Sequence, residues 1–292
     1  MRKFLEQAVL FFSWLSTALL LAALLLILGY LVYRGGGVLG VKLFFGKVPP
    51  LDALLLRQQV FDGLFPAIAG TISLVLLSVG LAVPVGLAAG IYMAEYCRGW
   101  LRQVLSIVFD VLAGLPSIVV GLAGFSLSLI LHRLLPGRLG PCLLIAALAM
   151  SFLILPYLIR STQLALESVS TALRLSAPAL GATKWQNIRH VLLPTKLPDI
   201  FGGIILATGR AAEDTAVIML TGVVASAGLP RSLFEQFEAL PFYIYYISSQ
   251  YSDPAELQMG FGAAILLLAI CAVLFVFASL LEHSISRRFR RC

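Results

Sequence analysis

Long apolar runs dominate the chain and alternate with shorter polar segments. The runs lie near residues 9–32, 67–94, 104–131, 141–159, 199–221 and 259–281. A bilayer core of roughly 30 Å takes about 20 helical residues to cross, which is close to the length of each run. The runs are too long and too continuously apolar to be barrel strands. The pattern therefore predicts an all-α integral membrane protein with six transmembrane helices.

Composition supports this prediction and excludes a soluble domain. Sixty per cent of the residues are hydrophobic and 12% are charged, and the mean hydropathy is +0.98. The first run follows a basic N-terminus, but it is too long for the apolar part of a signal peptide and lacks a small-residue cleavage site. We expect a retained helix, and because it has no small-residue stripe we expect it to be peripheral and to face lipid.

These features divide the chain into three parts. Residues 1–65 are expected to form the peripheral transmembrane helix and an outer loop. Residues 66–282 form the transmembrane core, in which the glycines of the second run indicate an interior helix. Residues 283–292 form a basic tail.

The net charge of +7 is distributed unevenly between alternate loops. One side holds most of the cations: Arg2, Lys3, Arg98, Arg102, the five between Arg160 and Lys196, and the four between Arg287 and Arg291. The other side holds Arg34, Lys42, Lys47, Arg57, Arg133, Arg138 and Arg231. The positive-inside rule then places both termini and the 160–198 loop in the cytoplasm. The basic charge indicates topology, and no nucleic acid partner is expected.

Two runs carry features that a lipid-facing helix does not tolerate. In the third run, Gly114-Leu115-Pro116-Ser117 frees backbone groups that must face protein or a water-filled path. In the fifth run lie Arg210, Glu213, Asp214 and Thr215. At helical spacing the three ionisable groups share one face, and charges at membrane depth predict a functional site. A self-neutralising structural triad is the alternative.

The segment 173–198 is the most polar long loop. Ala177, Gly181 and Ala182 are small enough for another backbone to approach. Thr183 is a plausible cap for a short helix, which would present Trp185 and Ile188 as apolar anchors between the cations Lys184 and Arg189. Pro194 and Pro198 are expected to stop the helix and leave the chain extended.

This segment resembles the cytoplasmic EAA loop of ABC-transporter permeases. The resemblance rests on Ser176-Ala177, Gly181 and Val191-Leu192-Leu193-Pro194, with Leu175 standing where that family usually has Glu. It implies that the loop docks in a groove of an ATP-hydrolysing subunit. The implied coupling residues are Ala177, Gly181, Ala182, Thr183, Lys184, Trp185 and Pro194.

Two further segments resemble PstA-type permeases of phosphate importers. The run Pro116 to Leu122 is similar to their Pro-Ser-Ile-Val-x-Gly-Leu signature, and Arg210, Asp214, Thr215 and Ala216 match an Arg-x-x-Gly-Glu-Thr-Ala pattern. Asp214 is shorter than the family's Glu, and Glu213 stands in place of its Gly. The resemblance implies a MetI-like bundle in which the translocation path includes Arg210, Glu213, Asp214, Thr215, Pro116 and Ser117, with Arg210 meeting the oxyanion.

The same resemblance implies the partners. They are a second, related permease (PstC-like), two ATP-binding subunits (PstB-like), an extracytoplasmic phosphate-binding protein (PstS-like) and the bilayer. An outer aromatic cluster at Phe242, Tyr243, Tyr245 and Tyr246 is either an interfacial belt or a docking surface for the binding protein.

No catalytic, metal or cofactor site is expected. The chain has no phosphate-loop or zinc-protease motif, its histidines His132, His190 and His283 lie far apart, and its four cysteines have no metal or disulfide spacing. ATP hydrolysis must then come from a partner. Three alternatives stay open: an importer for another oxyanion or small polar solute, a membrane scaffold without flux, and an intramembrane protease using Ser126 or Ser128.

Overall fold

The computed structural model describes residues 2–54, 60–61, 63–134 and 140–289. Within these ranges the chain is helical, apart from turns and one isolated bridge between Val223 and Phe237. Helices long and apolar enough to cross a membrane are Val9–Val38, Phe65–Tyr96, Ser117–Leu134, Leu143–Glu167, Lys184–Glu213 and Pro254–Ser284. The predicted all-α bundle with six spans is confirmed. Among the residues used in the sequence argument, Arg57, Arg138, Arg290, Arg291 and Cys292 lie outside the described ranges.

The helices are numbered in chain order. The first half of the chain contains α1 Arg2–Gly35, α2 Val41–Phe45, α3 Pro50–Leu54, α4 Phe65–Ile91, α5 Gly99–Ala113 and α6 Ser117–Leu134. The second half contains α7 Leu143–Glu167, α8 Thr171–Ala179, α9 Lys184–Asn187, α10 Leu193–Glu213, α11 Ala216–Thr221, α12 Leu240–Gln250 and α13 Pro254–Phe289. π-Helical turns at Tyr92–Tyr96 and Ile188–Leu192 extend α4 and precede α10.

The centre of the bundle is the close packing of α4 against α7. A Cβ at Gly86 would lie 2.7 Å from Leu158 Cβ, and a Cβ at Gly90 would lie 2.6 Å from Thr162 Cβ. Both glycines are therefore needed for the two backbones to approach. The expectation that the second run is an interior helix is confirmed, and α7 is the most buried of the spans.

The third apolar run does not form one helix. It is broken at Gly114–Pro116, as the sequence predicts, but the part before the break is not a transmembrane helix. α5 is amphipathic and has no buried residue, and Arg160 of α7 pairs with its Asp110 at 2.5 Å. Only α6, which begins directly after the break, meets the requirements for a span.

The fifth run also differs from prediction at both ends. The expectation that Pro194 and Pro198 leave extended chain is wrong, because the helix continues from the π-helical turn into α10. Pro194 lies in the first turn of α10, where the missing N–H needs no intrahelical partner. At the other end, α10 stops at Glu213 and α11 starts at Ala216, so the predicted continuous helix over 199–221 is interrupted at Asp214 and Thr215.

α1 lies at the periphery of the bundle and packs on α13. Its Tyr30 ring meets the Phe261 ring edge-on at 5.7 Å, and a Cβ at Gly35 would lie 2.8 Å from the Phe261 backbone. The rest of its surface is exposed in the isolated chain, with Leu26 74% accessible. A Leu-rich surface of this kind is suited to lipid or to a neighbouring apolar helix.

The segment 222–239 closes one end of the bundle. The backbone oxygens of Glu235 and Leu233 accept from the amides of Leu143 and Leu144 at 3.0 and 2.9 Å, and these are donors that the first turn of α7 leaves free. The Thr71 hydroxyl accepts from the Leu240 amide at 2.9 Å. The segment thus ties together the ends of α4, α7 and α12.

Candidate functional site

A cavity of about 470 Å³ opens on the face of α10 that carries the predicted charges. It is lined by Tyr157, Leu206, Ala207, Gly209, Arg210, Glu213 and Phe275. Arg210 is the one cation among these residues, and its side chain is 41% exposed. A charge so exposed on a membrane-crossing helix cannot lie against lipid. This face of α10 must therefore meet water or another protein surface.

Asp214 is turned away from the cavity and serves the helix break. Its side chain is 4% exposed, and its Oδ2 lies 3.4 Å from Arg210 Nη2. Its Oδ1 accepts from the Val217 amide at 3.1 Å, which caps the first turn of α11. Asp214 therefore stabilises the break by capping α11, and it also pairs with Arg210 from outside the cavity.

Glu213 and Arg210 line the same cavity, while Asp214 does not. The prediction that all three ionisable groups share one face is therefore wrong, since the helix ends at Glu213 and the next residue points inward. Thr215 is the half-buried residue before α11, and its backbone oxygen accepts from the Met219 amide at 3.0 Å. Its side chain is not among those lining the cavity.

Pro116 and Ser117 lie at the break before α6, next to the break before α11. α6 and α11 pack together so closely that a Cβ at Gly121 would lie 2.9 Å from the Ala216 backbone oxygen. Neither Pro116 nor Ser117 lines the Arg210 cavity. The structure does connect the two sites through Tyr157, which lines the cavity and donates to the Ala113 backbone oxygen at 3.2 Å.

Tyr157 was not predicted as a site residue. The sequence feature that could have identified it is a tyrosine directly after Pro156 in an otherwise apolar run. Its polar tip needs a partner in a membrane interior.

The turn after α8 explains why residue 181 of the predicted coupling loop is a glycine. Gly181 has a φ of +85°, and its amide donates to the Pro178 backbone oxygen at 2.9 Å while the Ala182 amide donates to that of Ala177 at 3.1 Å. This is a Schellman motif, in which glycine is favoured at the left-handed position. A Cβ there would meet no atom within 4 Å, so within the chain the glycine is required by its backbone conformation.

The predicted cap of the short helix is confirmed. The Thr183 hydroxyl accepts from the Gln186 amide at 3.3 Å, and the Gln186 side chain accepts from the Thr183 amide at 2.8 Å. Trp185 is 55% exposed, but the expectation that Ile188 is a second exposed anchor is wrong, since Ile188 is fully buried against Leu166 and Leu192. Pro194 is half-buried at the start of α10.

The exposed apolar residues of the loop are different ones. Leu175 is 58% exposed and Leu180 is 90% exposed in the isolated chain. With Trp185 they give the 175–185 segment a strongly apolar surface, which we call the loop face. Leu175 was not predicted as a contact residue, because it stands where ABC-transporter permeases usually have Glu.

A polar network fixes the loop to the end of α4. Arg174 forms an ion pair with the buried Glu95 and donates to the Leu166 backbone oxygen at 2.7 Å. Asn187 donates to the Arg174 backbone oxygen at 2.9 Å. Lys184 donates to the Glu95 backbone oxygen. These residues are far apart in sequence, so no local motif identifies the network.

Known proteins resemble the chain over most of its length. Residues 86–290 match the family described as the binding-protein-dependent transport system inner membrane component. The phosphate transport system permease protein PstA 1 of Mycobacterium tuberculosis is 32% identical over 240 residues, which cover 81% of this chain and 75% of that protein. The phosphate transport system permease protein PstA of Yersinia pestis is 32% identical over 244 residues, or 83% and 78% of the two chains.

Solved structures agree on the fold. A chain of the bacterial alginate ABC transporter in complex with alginate pentasaccharide-bound periplasmic protein matches with a TM-score of 0.61, at 20% identity, over 94% of this chain and 95% of that one. Sequence, fold and family model together show that the chain belongs to the inner membrane components of binding-protein-dependent transport systems, and is a multi-pass permease of an ABC importer.

Proposed function

We propose that this permease carries inorganic phosphate and that Arg210 meets the ion in the translocation path. The observation that carries the proposal is the exposed guanidinium on a membrane-crossing helix, in a cavity that also includes Tyr157. Arg210 Nε is buried and has no hydrogen-bond partner among the described residues. A planar guanidinium with free donors suits the oxygens of a tetrahedral anion. The names of the relatives from Mycobacterium tuberculosis and Yersinia pestis support phosphate as that anion.

The path forms between this chain and a second, related permease. Support comes from the α10 face, whose cavity is open on one side in the single chain and whose Leu206 is 74% exposed. The helix breaks before α6 and α11 lie side by side next to this face and provide positions at which the path can change shape. Pro116, Ser117 and Thr215 act at these breaks, and Asp214 holds Arg210 in place.

Energy reaches the path through the loop face. Two ATP-binding subunits grip the 173–198 loops of the two permeases, and the Glu95 network transmits their movement to α4. Trp185, Leu180 and Leu175 provide the apolar contacts, while Ala177, Gly181, Ala182, Thr183, Lys184 and Pro194 shape the loop. Both termini lie in the cytoplasm with the loop, and a phosphate-binding protein delivers the ion on the other side.

Within this arrangement residues 1–65 form the peripheral helix and outer loop, residues 66–282 the transport core and residues 283–292 the basic tail.

Glu213 favours a second candidate, a permease for a different oxyanion or a small polar solute. Its carboxylate is exposed in the same cavity as Arg210, and a negative charge there opposes the entry of an anion. Competition distinguishes the candidates. Unlabelled phosphate should suppress uptake of labelled phosphate, whereas excess sulfate or molybdate should not.

The deciding experiment measures uptake of radiolabelled phosphate in cells that express the complete transporter. Arg210→Ala should abolish uptake while the protein still assembles with its partners. Lys42→Ala is the matched control, because it removes an exposed cation in α2 outside the six spans. Full uptake by Arg210→Ala would exclude a role for Arg210 in the path. If Arg210→Ala no longer co-purifies with the ATP-binding subunits, the loss of uptake would instead reflect failed assembly.

A further inference from the structure

A second cavity lies beside the polar network of Glu95 and Arg174, between the end of α4, the start of α5 and the α8–α9 segment. It has a volume of about 400 Å³ and shares no lining residue with the Arg210 cavity. We call it the basic cavity because its lining includes four cations and one carboxylate. These five charged residues are Glu95, Arg98, Arg102, Arg174 and Lys184.

The pairing of these charges leaves an excess of positive charge. Glu95 neutralises Arg174, and Glu167, which is outside the lining, neutralises Arg102 with a Nη2–Oε1 distance of 2.6 Å. Lys184 donates to a neutral backbone oxygen and lies 4.5 Å from the centre of the Tyr96 ring. The Arg98 side chain forms no ion pair or hydrogen bond with the residues that the structure describes. Lys184 and Arg98 are therefore without a counter-charge there.

One buried polar atom in the lining also lacks a partner. Asn187 is 5% exposed and lines the basic cavity. Its Nδ2 donates to the Arg174 backbone oxygen, whereas its Oδ1 accepts from no described residue. A buried amide oxygen without a donor is unfavourable. A negatively charged ligand would neutralise Arg98 and Lys184, and a hydroxyl on the same ligand would donate to Asn187 Oδ1.

The cavity also lies at one end of two candidate membrane spans. The spans Phe65–Tyr96 and Lys184–Glu213 both have an end at its wall. Trp100, two residues from Arg98, is 75% exposed, as is usual for an aromatic residue at a membrane interface. Basic pockets between helices at this level are suited to phospholipid headgroups, and they are equally open to small anions from the aqueous phase.

We propose that the basic cavity binds a phosphate group that carries a hydroxyl donor, between Arg98 and Lys184. Two sources have this chemistry: free hydrogen phosphate, and an anionic phospholipid whose headgroup has a hydroxyl. Bound there, the phosphate bridges the α4–α5 junction to α9 and stiffens the attachment of the coupling loop. Site occupancy therefore regulates how firmly the loop is held. The inference does not depend on which solute the permease carries.

The test uses the full-length chain, with the subunits that co-purify, in an Arg210→Ala background so that the Arg210 cavity does not contribute. One arm measures equilibrium binding of radiolabelled inorganic phosphate. The other measures retention of phosphatidylglycerol by native mass spectrometry after reconstitution in phosphatidylcholine nanodiscs with and without phosphatidylglycerol. Arg98→Gln removes an exposed cation, Asn187→Leu removes the buried amide, and Lys42→Gln is the control.

We expect Arg98→Gln to weaken one of the two probes about tenfold or more, since charge-assisted hydrogen bonds have this strength, and Lys42→Gln to leave both unchanged. Loss in the phosphate arm identifies the free ion as the ligand, and loss in the lipid arm identifies the headgroup. Asn187→Leu should weaken the same probe. If Arg98→Gln changes neither probe more than Lys42→Gln does, the proposal is overturned, whether or not Asn187→Leu folds.

Discussion

The hydroxyl of Tyr157 donates to the backbone oxygen of Ala113 at 3.2 Å, which joins α7 to the last residue of α5. Tyr157 also lines the cavity of Arg210, and Gly114–Pro116 follows Ala113 directly. The hydrogen bond therefore links the cavity wall to the break before α6. Any movement of the break that alters the cavity must shift or break this contact.

Replacing Tyr157 by Phe tests this link. The change removes one hydrogen bond and leaves the ring in place, so we expect a loss of about 1 kcal/mol and a severalfold lower rate of uptake with normal assembly. Initial rates of phosphate uptake measure the effect. Tyr33→Phe, on the exposed surface of α1, is the control, and an unchanged rate for Tyr157→Phe would show that the contact is not part of the transport cycle.

Glu213→Gln tests which charge the cavity accepts. The substitution removes a negative charge close to Arg210 and keeps the shape of the side chain. If the solute is an anion, its apparent affinity should rise severalfold, because an opposing charge in a partly desolvated site has been removed. Concentration dependence of uptake measures this. Loss of uptake would instead favour a cation or a zwitterion as the solute.

Gly181 should be sensitive to side-chain type more than to size alone. Its φ of +85° costs roughly 1–2 kcal/mol for most residues, whereas Asn adopts this region more readily. We expect Gly181→Val to reduce association with the ATP-binding subunits and Gly181→Asn to retain most of it. Co-purification of the ATPase at equal permease levels measures the difference. Equal losses in both variants would point to steric contact with the partner instead.

The Glu95–Arg174 pair should be essential for coupling. The Glu95 side chain is 7% exposed, and breaking a buried pair by removing one partner costs about 3–5 kcal/mol. Glu95→Gln or Arg174→Gln should loosen the loop and lower transport per ATP hydrolysed. The charge-swapped double variant Glu95→Arg with Arg174→Glu should recover part of it. A double variant no better than the worse single variant would argue against a specific pairing.

Glu238 makes the stability of the 222–239 segment depend on pH. Burial raises the pKa of its carboxyl above the usual 4.5, although amides of Gly228 and Ala227 that donate to it act in the opposite direction. A raised folded-state pKa means that the folded protein holds the proton more tightly than the unfolded one. The stabilisation is therefore complete below pH 4.5 and is lost as pH rises through the folded-state pKa.

Thermal unfolding of the purified protein across this range measures the effect. Glu238→Gln keeps an oxygen that accepts from both amides and removes the titration. We expect its melting temperature to fall less than that of the wild type as pH rises. Parallel curves for the two proteins would exclude Glu238 as the group responsible.

Local sequence was enough to predict several features because each depends on neighbouring residues. The Thr183 cap needs only an acceptor three residues before a donor. The break at Gly114–Pro116 follows from a proline that cannot donate. The interior position of α4 follows from glycines at contact spacing. The roles predicted for the path and coupling residues stay predictions, since they depend on partners that lie outside this chain.

Other features could not be predicted in this way, because they depend on residues distant in sequence. Nothing near Glu95 indicates that Arg174 will be its partner. Helical periodicity places Asp214 with Arg210 and Glu213, but α10 ends at Glu213, and the Asp214 carboxylate caps α11 outside the cavity that the other two residues line. The prolines at 194 and 198 are strong breakers in isolation, yet Pro194 lies in the first turn of α10 and Pro198 lies inside the same helix.

The amino-acid sequence was sufficient to show that this protein crosses a membrane as six helices, because the length and continuity of apolar runs leave the backbone no other way to satisfy its hydrogen bonds. It also placed an arginine at membrane depth. The folded structure was needed to show that Asp214 pairs with the arginine, that Glu213 shares its cavity, and that the loop is fixed to α4 through Glu95. Each of these features depends on which of several possible partners lies within bonding distance, and only folding brings residues that are distant in sequence that close together.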